Sequence, residues 1–106
     1  MVYVACPWSH PDPIVRAGRH RYATDYARRL VEDERVVYSP LTHSVPLDPS
    51  GDRDWEYWRQ SDLAILALCD ELHVLALPGW EESRGVQAEI TEAMRLGILV
   101  RVVGVD

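Results

Sequence analysis

The sequence predicts an α/β fold, a three-layer, flavodoxin- or Rossmann-like parallel sheet of about four strands in the order 2-1-3-4 with helices on both faces. Two observations carry this. Short apolar runs alternate along the chain with longer segments that are apolar at helical spacing. The resulting order, β-α-β-α-β-α-β, makes a parallel sheet when the crossovers are right-handed. The runs themselves, such as Val2-Tyr3-Val4-Ala5-Cys6, lack polar alternation, as strands buried on both faces do. With 106 residues and no repeat, linker or low-complexity tract, residues 1–106 form one domain around a single core.

Taken in order, Val2 to Cys6 is the first strand, broken by Pro7-Trp8-Ser9-His10-Pro11-Asp12-Pro13. Asp12 before Pro13 is an N-cap with proline at the first helical position, opening a helix that runs to about Glu34. Val15, Tyr22, Tyr26 and Leu30 form its apolar stripe, flanked by Ala23 and Ala27, and Arg19 lies in the same stripe. That arginine is either a snorkelling or core-paired side chain or an anion ligand reaching over the end of the first strand. Arg35 to Ser39 is the second strand, closed by Pro40. The following stretch, Leu41 to Asp54, carries Pro46, Pro49 and Gly51 and reads as a loop of roughly fourteen residues, long enough to cover something. Asp54 caps a helix from Trp55 to about Cys69, whose apolar face holds Trp55, Trp58, Ile65, Leu66 and Cys69, with Asp62 in its middle. A turn and third strand follow over Asp70–Leu77, and Ile98 to Val103 is the fourth strand.

Between the last two strands lies the most informative stretch. Pro78-Gly79 ends the third strand, Ser83 is an N-cap and Gly97 a C-cap, which brackets a helix from about Arg84 to Leu96. Gly85, Val86, Ile90, Ala93 and Leu96 share one half of the helical wheel, and Glu89 falls inside that half. A carboxylate on a core-facing stripe is desolvated unless it is paired, neutral or open to a cavity. Asp62 is a second carboxylate so placed. Each is either a functional group or a core-paired structural one.

The strand order 2-1-3-4 puts the topological switch between strands 1 and 3, where ligands bind outside the carboxyl ends. The loops there are Pro7–Pro13 and Pro78–Ser83. A cleft at this point gathers Tyr3, Trp8, Ser9, His10 and Arg19 on one side, with Trp80, Ser83, Gly85 and Glu89 opposite and Asp62 entering from the middle helix. Free N–H groups from Ser83 to Gly85 form an anion site, with Gly85 letting a ligand approach the backbone. Trp8 or Trp80 can stack on a flat heterocycle. Anion site, buried carboxylate and stacking surface together describe a nucleotide pocket.

Bulk properties narrow the partners. A net charge of −6 gives no basic footprint for a nucleic-acid duplex or an anionic membrane, and no stretch approaches the length of a membrane span. A cytoplasmic location is expected. Cys6 and Cys69 match no metal spacing and read as buried free thiols. His10, His20, His43 and His73 are not spaced as ligand pairs and read as surface or loop side chains, with His10 and His43 able to flank the pocket. A four-stranded sheet of this size leaves apolar helix faces poorly covered, so a homodimer or homotetramer is expected.

The string Ser83-Arg84-Gly85-Val86-Gln87-Ala88-Glu89-Ile90, the segment Asp62 to Asp70, and Val2-Tyr3-Val4-Ala5-Cys6-Pro7 together resemble the nucleoside 2-deoxyribosyltransferase superfamily. The closer likeness is to the 2'-deoxynucleoside 5'-monophosphate N-glycosidases and to short bacterial and phage relatives with the loop seen here as Ser39-Pro40-Leu41-Thr42-His43-Ser44. The resemblance implies that Glu89 attacks the anomeric carbon to form a glycosyl-enzyme intermediate. It implies that Asp62 holds a sugar hydroxyl or helps protonate the leaving base, that Tyr3 orients Glu89, and that no metal or organic cofactor takes part. The family's transferases carry Asp six residues before that Glu and its monophosphate hydrolases carry Ser, which is Ser83 here. Gln87 and Ala88 depart from the small and aromatic residues usual before the Glu, and Glu81 and Glu82 set negative charge beside the implied phosphate site. The competing expectations are a nucleoside transferase, a non-catalytic nucleotide-binding module, and a structural domain in which Arg19, Asp62 and Glu89 only pair in the core.

Overall fold

A computed structural model of the protein describes residues 1–105. Strand β1 (Val2–Ala5) leads into helix α1 (Pro13–Glu32), strand β2 (Val37–Tyr38), helices α2 (Pro40–Leu47) and α3 (Trp55–Leu66), strand β3 (Glu71–Leu75), a 3₁₀ turn (Trp80–Glu82), helix α4 (Arg84–Leu96) and strand β4 (Leu99–Val103). All pairings are parallel and the order is β2-β1-β3-β4, as the element alternation predicts. Val2 and Val4 of β1 join Leu75 of β3, Ala23 and Leu30 of α1 and Leu41 of α2 on one face. Tyr3, Ala5, Leu72 and Val74 meet Leu66 of α3 and Val86 and Ala93 of α4 on the other. The period of two in a strand therefore divides each apolar run between two cores, which is why these runs need no polar alternation.

Local chemistry sets the helix ends. The Asp12 side chain accepts from Ile14 N at 2.8 Å with Pro13 at the first helical position, and Asp54 accepts from Tyr57 N at 3.2 Å. Ser83 Oγ accepts from Val86 N at 3.3 Å, and Gly97, at φ 73°, ends α4 in the left-handed region that glycine adopts without strain.

Several expectations are corrected. The stretch after β2 is not all loop, because Pro40–Leu47 is helix α2 despite Pro46 within it. Pro40 at the first helical position favours the start, Leu41 is buried against α1, and α2 ends one residue past Pro46, so the missing N–H removes only a single i→i−4 bond. Strand β2 spans two residues rather than five, β3 stops at Leu75, and α3 ends at Leu66 before a turn closed by Cys69 N to Leu66 O at 2.9 Å. Leu96, assigned to the inward stripe, is 39% exposed as the last residue of α4. His73 is no surface histidine: it is buried on β3, with Nδ1 2.7 Å from Tyr26 Oη and Nε2 3.2 Å from Glu71, which also pairs with Arg35. Both cysteines are free, Cys69 buried and Cys6 partly so. Among the described residues no helix is long and apolar enough to cross a membrane.

Candidate functional site

At the carboxyl ends of β1 and β3 the chain opens a cleft of about 750 Å³. The β1–α1 loop supplies Trp8, Ser9 and His10 to its wall, α1 supplies Arg16 and Arg19, α3 supplies Trp55, Trp58 and Asp62, and the start of α4 supplies Ser83, Gly85 and Glu89. This is the switch point, where the crossovers leave β1 and β3 toward opposite faces and the loops part.

Glu89 forms part of the cleft lining from one turn inside α4 and is only 4% exposed. Tyr3, wholly buried on β1, donates its phenolic hydrogen to Glu89 Oε2. Burial pushes the Glu89 carboxyl up to about 8 and the negative charge of Asp62 adds to this, while the Tyr3 hydrogen bond works against it. The Tyr3 phenol is itself held well above its ordinary value by burial, then by the charges of Glu89 and Asp62, so it remains a donor. Asp62, also 4% exposed, is pushed up to about 6 by burial, against the opposing influence of the Tyr38 hydroxyl. Two carboxyls raised by different amounts in one dry site share a single proton across the interval between those values. One is then available as an acid and the other as a base or nucleophile. Cys6 also lines the cleft, but burial pushes its thiol up to about 12 despite the nearby Arg19 charge, leaving it protonated and unreactive.

Arg19 is used differently from a free anion ligand. Its Nη1 donates to Ser9 O at 3.0 Å and its Nη2 to Pro78 O at 2.8 Å, so the guanidinium ties the loop after β1 to the loop after β3. Arg16 donates to His10 O, and His10 Nδ1 accepts from Asp12 N at 2.9 Å, which orders the same β1–α1 loop. Gly85 lines the cleft and also faces the Trp55 indole, where a Cβ would lie 3.4 Å from Cε3, an ordinary contact distance.

Of the side chains expected to stack or flank, Trp8, Ser9 and His10 line the cleft. Trp80 packs against the Tyr3–Leu66–Val86 cluster instead, and Trp55 and Trp58 take its place on the wall. His43 turns outward on α2, with its ring 6.0 Å from Tyr38 and 6.3 Å from Trp58, and belongs to a shallow surface depression beside β2. Ser83 lines the cleft, and its Oγ, while accepting from Val86 N, keeps its own proton to donate. The N–H groups of Arg84 and Gly85 stand in the first turn of α4, where no intrahelical acceptor exists. Glu81 and Glu82 are both exposed, but Glu82 contributes to the cleft wall, and Arg84 is drawn away to Glu56 at 3.1 Å. Sequence reasoning missed Trp55 and Trp58 as wall residues, although their spacing on one apolar helix face beside Asp62 was a usable signal. It also missed Tyr38, for which the sequence held no signal. Among the described residues no three His, Cys, Asp or Glu side chains converge as a metal site would.

A family model described as a domain of unknown function (DUF1937) matches residues 1–105. No curated protein matches the chain. Among solved structures, the fold is similar to that of a 2-deoxyribosyltransferase from the psychrotolerant bacterium Bacillus psychrosaccharolyticus, with a TM-score of 0.71 and 17% sequence identity over 97% of this chain and 71% of that one.

Proposed function

We propose that this chain, which belongs to the DUF1937 family, is an N-glycosidase that cleaves the base–sugar bond of (deoxy)nucleoside 5'-monophosphates through a Glu89 nucleophile. The observation that carries this reading is a buried carboxylate, Glu89, held by the buried Tyr3 phenol at the floor of a cleft that also contains a second buried carboxyl, Asp62. The shared fold of a 2-deoxyribosyltransferase is consistent with it.

In the reaction, Glu89 enters as carboxylate and Asp62 as acid; the shared proton rests mainly on Glu89, so the productive form is the minor one in which that proton has moved to Asp62. A Glu89 oxygen bonds to the anomeric carbon as the C–N bond breaks. The bonding electrons leave with the base, which takes the Asp62 proton. The transition state resembles an oxocarbenium ion, and a negative carboxylate in a dry site stabilises it more than it stabilises the neutral sugar. Water then attacks the same carbon and gives its proton to the Asp62 carboxylate. The Glu89 ester breaks, and sugar phosphate leaves. The wall supplied by Trp8, Trp55 and Trp58 suits a flat base. The Ser83 hydroxyl and the Arg84 and Gly85 N–H groups suit a phosphate, while Arg19 orders the two loops around it.

A nucleoside 2-deoxyribosyltransferase is the second reading, favoured by Glu82, whose place in the cleft wall opposes a phosphate. Incubation with a panel of nucleosides and their 5'-monophosphates, followed by chromatography for free base, tests both. Base released from monophosphates in water supports the hydrolase. Exchange of bases only when a second base is added supports the transferase. No release and no exchange would reject catalysis on N-glycosidic bonds.

A further inference from the structure

The parallel register sets Tyr3 of β1 directly beside Tyr38 of β2. Register partners in a sheet point to the same face, and here both phenols leave toward α3 and α4, with rings 5.8 Å apart at 48°. Each meets one of the two buried carboxyls. Tyr3 completes a hydrogen bond to Glu89. Tyr38 stands beside Asp62 and influences its carboxyl, yet Tyr38 Oη and Asp62 Oδ1 are both buried and among the described residues neither has a hydrogen-bond partner. Two orphan atoms, one a donor and one an acceptor, held side by side in a dry interior carry a desolvation penalty that closing the bond between them would remove. The second Asp62 oxygen is not among the buried, unpartnered atoms, and the residue contributes to the cleft wall.

We propose that Tyr38 is the positioning residue for Asp62, as Tyr3 is for Glu89: when substrate fills the cleft, Tyr38 Oη donates to Asp62 Oδ1 and presents Oδ2 to the leaving base. The inference rests on the glycosidase reading above. As Asp62 gives its proton to the base it becomes a carboxylate, and the phenol donates to the new negative charge without giving up its own proton. When water attacks the glycosyl ester, Asp62 takes the proton back and the hydrogen bond weakens again. The titratable groups around this pair are Tyr3 from β1, Glu89 from α4 and, 6.0 Å across the Tyr38 ring, His43 from α2.

The test is Tyr38→Phe, which removes one oxygen and keeps the ring, compared with Tyr3→Phe and the parent. Thermal melting of Tyr38→Phe at pH 5, where Asp62 holds its proton with or without the phenol, should match or exceed the parent, because in the free protein the deleted hydroxyl closes no hydrogen bond and acts on Asp62 only as a neighbouring dipole. Its kcat should fall roughly tenfold to a hundredfold, the scale of one charge-assisted hydrogen bond lost in the transition state, with KM within about twofold. In the pH profile of kcat/KM the acid limb, near 6 in the parent, should move to higher pH in Tyr38→Phe. In Tyr3→Phe the limb near 8 should move instead. Unchanged turnover in Tyr38→Phe would overturn the proposal, as would a loss of turnover accompanied by a lower melting temperature and an unmoved acid limb. A parallel carbon-13 NMR titration of labelled Asp carboxyls, with Asp62 assigned through Asp62→Asn, follows the same group without substrate. There Tyr38→Phe should displace the Asp62 titration upward, and no displacement would overturn the link. If the parent releases no base while that displacement is seen, the glycosidase reading fails and the coupling of Tyr38 to Asp62 stands.

Discussion

Gly85 lies against the indole of Trp55, with the site of its missing Cβ 3.4 Å from Trp55 Cε3 and 3.5 Å from Cδ2. The contact locks the first turn of α4 to the first turn of α3 at the mouth of the cleft. An alanine fits at the edge of ordinary van der Waals distance and gains helix propensity of up to about 1 kcal/mol. Gly85→Ala should therefore melt at the parent temperature or above with KM within about twofold, whereas Gly85→Leu should displace Trp55 and raise KM. A Gly85→Ala variant that melts normally but no longer binds substrate would mean that the ligand, not the indole, needs the bare backbone.

Arg19 is 9% exposed and joins two loops that belong to different strands. Arg19→Met keeps the apolar stem and removes both donors, at roughly 1.5–3 kcal/mol for each hydrogen bond to a charged group. Urea unfolding should show a clearly lower midpoint with an unchanged m-value, and Arg19→Lys should recover only part of the loss because one ammonium does not reproduce the fork. A fully stable Arg19→Met variant would show that the loops hold without this tie.

Glu89→Gln should abolish base release and also change how stability depends on pH. The folded carboxyl titrates near 8 against an ordinary 4.5, so between those values the native state holds a proton that the unfolded chain has lost. Stability therefore falls as pH rises through that window, at about 1.4 kcal/mol per pH unit. Glutamine carries no such proton. The melting temperature of Glu89→Gln should exceed that of the parent by a margin that widens from pH 5 to pH 8. A margin that stays constant with pH would mean that Glu89 is ionised in the native state.

Ser83 offers a substitution that changes charge and little else, because Asp is as good an N-cap as Ser. In the parent, kcat/KM for a 5'-monophosphate should exceed that for its nucleoside by at least about a hundredfold, the lower end of what two charge-assisted hydrogen bonds contribute. In Ser83→Asp most of that preference should vanish through repulsion of the phosphate, with the melting temperature unchanged. Equal parent values for nucleoside and nucleotide would return the chain to the transferase reading.

Features encoded within a few residues of one another are legible in this sequence. Asp12-Pro13, Asp54, Ser83 and Gly97 mark helix ends because caps act over a single turn, and α4 spans Arg84–Leu96 as its caps dictate. The alternation of elements sets the sheet order, and helical spacing alone puts Glu89 and Asp62 inside, where both are 4% exposed. Features that depend on which faces meet across the sheet are decided only in three dimensions. Trp80, on the 3₁₀ turn before α4, packs into the core cluster while Trp55 and Trp58 of α3 line the cleft, a choice among equally apolar indoles that only the tertiary packing makes. Pro40–Leu47 becomes a helix because Leu41 has a core to enter under α1, which outweighs the breaker at Pro46. Arg19 finds the carbonyls of Ser9 and Pro78, and Tyr38 comes to rest beside Asp62, through β1–β2 and β1–β3 pairings between segments far apart in the chain. A periodic pattern can say which side of an element a residue occupies, but its partner is set by the register of strands that the pattern does not contain.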